Sequence, residues 1–401
     1  MDHSEDDRDA MRVQVASAMA DIDRAGWDQC ANPQGGAADP SGEFSYNPFI
    51  SWDFLEALEA SGTVSARTGW LPRHLVLEGP DGHPAGVVPC YLKSHSQGEY
   101  VFDYGWADAY ERAGGHYYPK LQVSVPFSPV PGRRILVGAG EGVEMRRRAL
   151  AAALAELASR HEASSVHVTF LSEPEWKTLG DIGYLQRTDQ QFHWVDQDFG
   201  SFDGFLDSLA SRKRKAVRKE RAKALENNIT IEWVTGSDIT EEHWDIFLEF
   251  YLDTGSRKWG RPYLNRTFFS LIGERMADRI LLIMARRNGR YIAGALNLIG
   301  SDTLYGRNWG CIEHHDCLHF EVCYYQAIEF ALAKGLTRVE AGAQGAHKLA
   351  RGYLPATTFS AHFILDPNFR SAVDDFLQQE RQHVAWEQEA NAEHAPFKKS
   401  G

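Results

Sequence analysis

TLYGRNWGCIEHHDCLHFEVCYYQAIEFALAKGLTRVEAG, residues 303–342, decides the fold. It opens on a strand-like run (TLYGRNWG). Apolar residues then recur at helical spacing in FEVCYYQAIEFALAKG (320–335), and the stretch closes on a second short strand, TRVEAG. Just upstream, ILLIMARRNG (280–289) and RYIAGALNLIG (290–300) read as two more strands. The first half of the chain repeats that order. RHLVLEG (73–79), a Pro-Asp-Gly turn and HPAGVVPCYLK (83–93) form a hairpin; the helix EGVEMRRRALAAALAELASRH (141–161) and the strand SVHVTFL (165–171) follow. PAGVVPCYLK and IAGALNLIG hold corresponding places, an Ala-Gly pair opening an apolar strand after a turn, which points to an internal duplication.

The expected fold class is therefore α/β with mixed sheets, in two similar domains over 1–200 and 201–401. The first carries an N-terminal helix from about Asp7 to Trp27 (Met11, Val15, Met19 and Ile22 at helical spacing) and a Gly/Pro-rich loop within 1–45. The second carries a basic helix over 205–226 and a C-terminal helix from Pro367 to about Ala390, capped by Asp366. A chain of 401 residues fits two domains better than one.

A net charge of −13 argues against a protein that coats nucleic acid with its whole surface, DNA included. Five scattered cysteines suggest no disulfide framework and a reducing, cytoplasmic setting. The acidic start is unlike a signal peptide, and no apolar run is long enough to span a bilayer, so a soluble protein without a membrane partner is expected.

Six blocks carry a family resemblance: LYGRNWG (304–310), LHFEVCYYQAIEFA (318–331), EAGAQGAHKLARGYLP (340–355), NPFISWDFLEALEASG (47–62), YLKSHSQGEYVFDYGWADAY (91–110) and YYPKLQVSVPFSPVPGRR (117–134). Together they resemble the FemAB-like N-acyltransferases, relatives of the peptidoglycan aminoacyltransferases within the Gcn5-related N-acetyltransferase (GNAT) superfamily. The resemblance implies two tandem GNAT-like domains meeting at a cleft and an amide-forming activity. FemA-type relatives take an aminoacyl group from aminoacyl-tRNA; ordinary GNAT enzymes take an acyl group from acyl-CoA.

The donor can be argued from charge. In SRKRKAVRKERAKAL (211–225), Arg212, Lys213, Arg214, Lys215, Arg218, Lys219, Arg221 and Lys223 stand against one acid, Glu220, leaving a thin packing stripe of Leu206, Ala210, Val217 and Ala224. A phosphate backbone would relieve the repulsion, so the first seven cations are assigned to tRNA; a solvated linker helix is the plainer alternative. CoA would need a Gly-rich turn at a helix N-terminus. CIEHHDCLHFE (311–321) has no glycine, and in PGRRILVGAGEGVEM (131–145) Glu141 would oppose a phosphate.

Catalysis is assigned to GAQGAHKLARGYLP (342–355) and its surroundings. His347, Lys348 and Arg351 supply donors for an anion or a developing oxyanion, and Glu340 and Glu321 are candidate proton acceptors for an attacking amine. Mutual ion pairing that merely holds the turn is the alternative. Asp103, Trp106, Tyr117, Tyr118 and Lys120, with Tyr305 and Arg307, are assigned to the substrate pocket; the aromatic cluster among them could equally pack between the domains. His314, His315 and His319 with Cys311, Cys317 and Cys323 match no zinc spacing, and no metal is expected. The leading function is aminoacyl transfer from aminoacyl-tRNA to the amine of a small-molecule or natural-product acceptor, with no tightly bound cofactor. The alternatives are acyl-CoA-dependent N-acylation and a non-catalytic protein that binds RNA or a partner.

Overall fold

The computed structural model describes residues 11–33, 35, 43–80, 82–258, 262–342 and 345–398. The first half runs β1 (Val13–Ala16), α1 (Arg24–Ala31), α2 (Trp52–Ala60), β2 (Trp70–Pro72), β3 (His74–Glu78), β4 (Pro84–Val88), β5 (Cys90–Lys93), α3 (Tyr104–Arg112), β6 (Lys120–Val123), β7 (Leu136–Val137), α4 (Val143–Arg160), β8 (Ser165–Leu171), α5 (Glu173–Asp181) and β9 (Leu185–Val195). The second runs α6 (Phe202–Ser208), α7 (Ser211–Ala224), β10 (Ile229–Thr235), α8 (Glu241–Lys258), α9 (Arg266–Met276), β11 (Ile280–Arg287), β12 (Arg290–Ile299), β13 (Thr303–Cys311), α10 (Leu318–Phe320), a π-helical turn (Glu321–Tyr325), α11 (Gln326–Lys334), β14 (Arg338–Glu340), a 3-10 turn (Ala346–Arg351), β15 (Leu354–Ile364) and α12 (Pro367–Glu393).

In each half a parallel pair is joined across a long helix: β6 with β8 over α4, and β13 with β14 over α10–α11. β5 lies antiparallel to β6 as β12 does to β13, but the two Ala-Gly pairs do not match: Ala85-Gly86 stands on β4, between β3 and β7 of a separate sheet, whereas Ala293-Gly294 stands on β12 itself. Among the described residues, β1-β3-β4-β7 form a small sheet, and an 11-stranded sheet runs β10-β11-β12-β13-β14-β9-β15-β8-β6-β5-β2. Its middle is an exchange. β9, which follows β8 in the chain, pairs with β14 (Glu340↔His193), while β15, which follows β14, pairs with β8 (His362↔His167). β9 and β15 also pair with each other from Leu354↔His193 to His362↔Leu185. Hydrogen bonding thus crosses the 200/201 boundary in both directions. One apolar core does too, since Phe49, Phe54 and Leu58 pack with Phe268, Ile272, Leu296 and Leu298.

Two expected elements change. The helix over 7–27 is replaced, within the described residues, by β1 and the short α1. Val13 and Val15 are β-branched and pair along β3, and Asp23 caps α1 by accepting from the Gly26 amide at 2.7 Å. The part of that helix before Met11, most of the loop at 34–42, and Asp81 of the hairpin turn lie outside the described residues. The basic helix over 205–226 is two helices, because Leu209 is extended (ψ 149°) and bridges to Phe397. α12 starts where expected, with Asp366 accepting from the Phe369 amide at 2.7 Å. Among the described residues, no helix is long and apolar enough to cross a membrane.

Candidate active site

β13 and β14 stay together for three register pairs, ending at Tyr305↔Glu340, after which the chain beyond Glu340 turns away and β13 continues along β12. Gly306 stands in the fork; a Cβ there would lie 3.3 Å from the Glu340 carbonyl oxygen. On the β12 side the register jumps, with Leu296 opposite Asn308 and Asn297 opposite Gly306, so Arg307 is the extra residue of a β-bulge. A bulge leaves its extra residue outside the ladder and re-aims its side chain. Arg307 reaches into the first half, where Nη2 donates to the Phe127 carbonyl at 2.8 Å. Phe127 holds a left-handed backbone (φ 58°), costly for a bulky residue, and its ring stacks on Tyr263 at 4.6 Å.

Glu340 is 5% exposed, and among the described residues its Oε2 has no hydrogen-bond partner. Burial pushes its carboxyl up to about 8, against the opposing pull of Arg338. His193 of β9 lies beside it, Nδ1 to Oε1 at 3.9 Å. Gln191 Nε2 donates to the Pro129 carbonyl, which turns the amide oxygen to receive the Nε2 proton of His193 at 3.1 Å. The imidazole lone pair on Nδ1 is left facing Glu340. Burial keeps His193 neutral, its pKa lowered to about 3. Lys348 is also buried, which lowers its ammonium to about 8, and Nζ donates to the Gly342 carbonyl at 2.9 Å.

The other expected site residues are placed differently. Glu321 is fully buried and accepts from Arg221 (Nη2, 2.9 Å) and Gln326 (2.8 Å), so its oxygens are committed to holding α7 rather than to taking a proton from substrate. Arg221, assigned to tRNA, is the other half of that pair and also bonds Glu329 at 2.7 Å. Arg351 grips Glu220 at 3.0 Å and lies 3.4 Å over the Phe320 ring, clamping the 3-10 turn to α7. His347 is exposed and shares a 2.9 Å hydrogen bond with the Tyr324 hydroxyl. Ala343 and Gln344 of the same segment lie outside the described residues. Because Arg221 neutralises a fully buried carboxylate, Arg221→Ala is expected to destabilise the fold by about 3 kcal/mol, read as a lower denaturant midpoint at unchanged slope.

Asp103, Tyr117 and Lys120 meet as expected, but inside the protein. Lys120 Nζ contacts both Asp103 and Glu99, and Tyr117 donates to Asp103 at 2.7 Å. Trp106 packs edge-on to His362 at 4.9 Å, and Tyr118 shares a 2.9 Å bond with Ser96. These residues tie α3 and β6 to the exchanged strand β15; the packing alternative describes them. Tyr305 is buried between the halves, 5.4 Å from Phe49. Among the residues assigned to substrate, Arg307 borders space at the fork. It lines both an apolar crevice with Phe49, Phe127 and Phe268 and a cavity of about 80 Å³ with Asn297, Gly306, Tyr324 and Ala341. Sequence reasoning missed His193 and Asn297, although Asn297 stands in the phrase IAGALNLIG; only the strand pairing brings the two to the fork.

Splayed parallel strands and a bulge at the fork of tandem α/β halves frame the site, and with the family match the chain is an acyl- or aminoacyl-transferase. The FemAB-like family model, described as peptidoglycan biosynthesis/recognition, matches residues 18–399, and the chain belongs to that family. Solved structures agree on the fold. FemX is 13% identical with a TM-score of 0.55, over 88% of this chain and 98% of its own. The C-terminal domain of an assigned lysylphosphatidylglycerol synthetase from Agrobacterium fabrum is 10% identical with a TM-score of 0.53, over 92% and 98%. A conserved protein of unknown function from Bacteroides thetaiotaomicron is 12% identical with a TM-score of 0.51, over 88% and 100%. Among curated proteins, no sequence matches.

Proposed function

We propose that this chain transfers an aminoacyl group from aminoacyl-tRNA to the amine of a small-molecule or natural-product acceptor by direct attack, without a tightly bound cofactor. One observation carries the reading: a buried carboxyl oxygen of Glu340, without a hydrogen-bond partner among the described residues, at the strand fork beside the bulged Arg307. The amine nitrogen attacks the ester carbonyl, and Glu340 accepts the proton that the nitrogen must lose. Arg307 and Lys348 oppose the negative charge that grows on the carbonyl oxygen. Collapse forms the amide, expels the ribose oxygen and returns the proton to it. The ester is already activated, so positioning and proton removal suffice.

The donor side is supported by α7. Arg212, Lys215, Arg218 and Lys219 are exposed and, among the described residues, form no ion pair, while α7 packs against α10, the π turn and the 3-10 turn that border the fork. α10 (Leu318–Phe320) follows its N-cap Cys317, and no glycine stands between Gly310 and it.

Retention of total tRNA on filters over a salt series, calorimetry with CoA and acetyl-CoA, and mass spectrometry for amide products test the reading together. Micromolar CoA binding with no tRNA retention would replace it with acyl-CoA-dependent transfer. The rate should follow a bell with its maximum near pH 8. Glu340 must be a carboxylate, so activity rises as pH climbs to about 8; Lys348 must be an ammonium, so activity falls beyond about 8. Lys348→Met should remove the alkaline limb and Glu340→Gln the acidic one.

A further inference from the structure

Asn297 on β12 is 1% exposed, and hydrogen bonding settles the direction of its amide. Nδ2 donates to the carbonyls of Leu281 and Ala295, each at 3.3 Å, and only the nitrogen end can serve two carbonyl acceptors. Oδ1 is therefore turned the other way, and among the described residues it has no partner. Buried polar atoms are almost always paired, so an orphan oxygen on a cavity wall indicates what the cavity receives.

The cavity is the one of about 80 Å³ at the fork, walled by Ala295, Gly306, Trp309, Tyr324 and Ala341 as well as Asn297. Gly306 packs against Oδ1 with no side chain between them, since a Cβ there would stand 3.3 Å from that oxygen. The side of the sheet is fixed by alternation along the strands. Ala293 and Ala295 of β12 belong to the core beneath α11, whereas Leu296 and Leu298 belong to the core between the halves. Asn297, two residues on from Ala295, thus faces α11 and the side on which α7 packs. Glu340, next to Val339 of the α11 core, faces the other side. The fork separates the orphan amide oxygen from the proton acceptor.

We propose that Asn297 Oδ1 accepts a hydrogen bond from the α-amino group of the donor's aminoacyl moiety, so that this cavity admits aminoacyl donors and rejects plain acyl ones. The proposal rests on the transferase reading above and names what the donor side recognises. Oδ1 can only accept, and an α-amino group brings N–H donors to the carbon next to the ester carbonyl. A plain acyl group has none there and would leave the oxygen buried and unpaired, the situation in which a site discriminates most strongly. The main-chain oxygen of Glu340, equally close to the missing Cβ of Gly306, offers a second acceptor at the same point.

Glycinamide and acetamide differ by that amino group alone. Titrated onto the full chain and followed by ligand-observed NMR, glycinamide should bind at least tenfold more tightly than acetamide. Asn297→Leu should abolish the preference. Gly306→Ala should abolish it as well, covering Oδ1 while leaving the bonds of Asn297 in place, which guards against a folding defect in the first variant. Equal binding of the two amides, or a preference kept in both variants, overturns the proposal. A second arm compares tRNA carrying glycine with tRNA carrying an acetyl group. If transfer occurs but Asn297→Leu leaves the kcat/KM ratio of the two donors unchanged, the pocket assignment falls and the transferase stands. If the variants lose the glycinamide preference but no donor yields an amide, the pocket stands and the transferase reading falls.

Discussion

Glu340→Gln is expected to lower kcat by about 10²–10⁴ while leaving the fold intact, because it removes the proton acceptor at the fork and keeps its shape. The carboxyl is suited to the task by burial. With its pKa pushed to about 8, it is a far stronger base than an exposed glutamate, and at pH 7 roughly a tenth of the molecules hold it ionised. The same shift supplies an internal control. The folded state keeps a proton on Glu340 that the unfolded chain has lost between the ordinary value of 4.5 and about 8. Stability contributed by this group is thus fully present below 4.5 and declines as pH rises toward 8, by at most about 1.4 kcal/mol per pH unit. Glutamine carries no such slope, so the variant should match or exceed the wild type in thermal stability at pH 8. A variant that is inactive and also less stable at pH 8 would trace the loss to packing rather than to chemistry. Activity retained at the wild-type level would remove Glu340 from the mechanism.

Replacing Arg212, Lys215, Arg218 and Lys219 together by Ala is expected to weaken tRNA binding by at least a hundredfold at moderate salt. The plot of log affinity against log salt should flatten by about 3 units, four phosphate contacts releasing roughly 0.7–0.9 counterion each. The helix itself should survive. Alanine is the best helix former, Val217 and Ala224 remain buried, and Arg221 to Glu321 and Glu220 to Arg351 still pin α7 to the domain. Arg214 is left out because it is paired with Asp207 at 3.1 Å. Filter retention over a salt series reads both effects, and unchanged slope and affinity would leave α7 as a solvated linker.

Much of the fold was legible along the chain because its signals are local. β8 reads as a strand by alternation, Val166, Val168 and Phe170 standing between Ser165, His167 and Thr169, and the structure buries both of its faces. α4 and α12 declare themselves by spacing and, for α12, by the cap at Asp366. The N-terminal segment misled for a physical reason. Met11, Val15, Met19 and Ile22 satisfy helical spacing, yet Val13 and Val15 also satisfy strand alternation, and only the open edge of β3 decides between the two.

The candidate site was legible in part. Glu340, Lys348 and Arg307 lie in the blocks that carry the family resemblance, and the structure brings all three to the fork. Glu321 and Arg351 come from the same blocks, but their charges meet partners on α7, a hundred residues or more away in sequence, and a motif cannot show which acid a cation will face.

Sequence alone therefore determined most of the elements, the N-terminal helix and the single basic helix apart, together with their order and the local concentration of positive charge in α7, since each depends on neighbours within a few turns of chain. Tertiary structure decided the exchange of β9 and β15, the bulge at Arg307, the arrival of His193 and Asn297 beside the fork, and which of the charged residues remain unpaired. Those outcomes depend on strand register and on burial. Register is set by packing between segments far apart in the chain, and burial is what turns an ordinary glutamate into a base that titrates near pH 8.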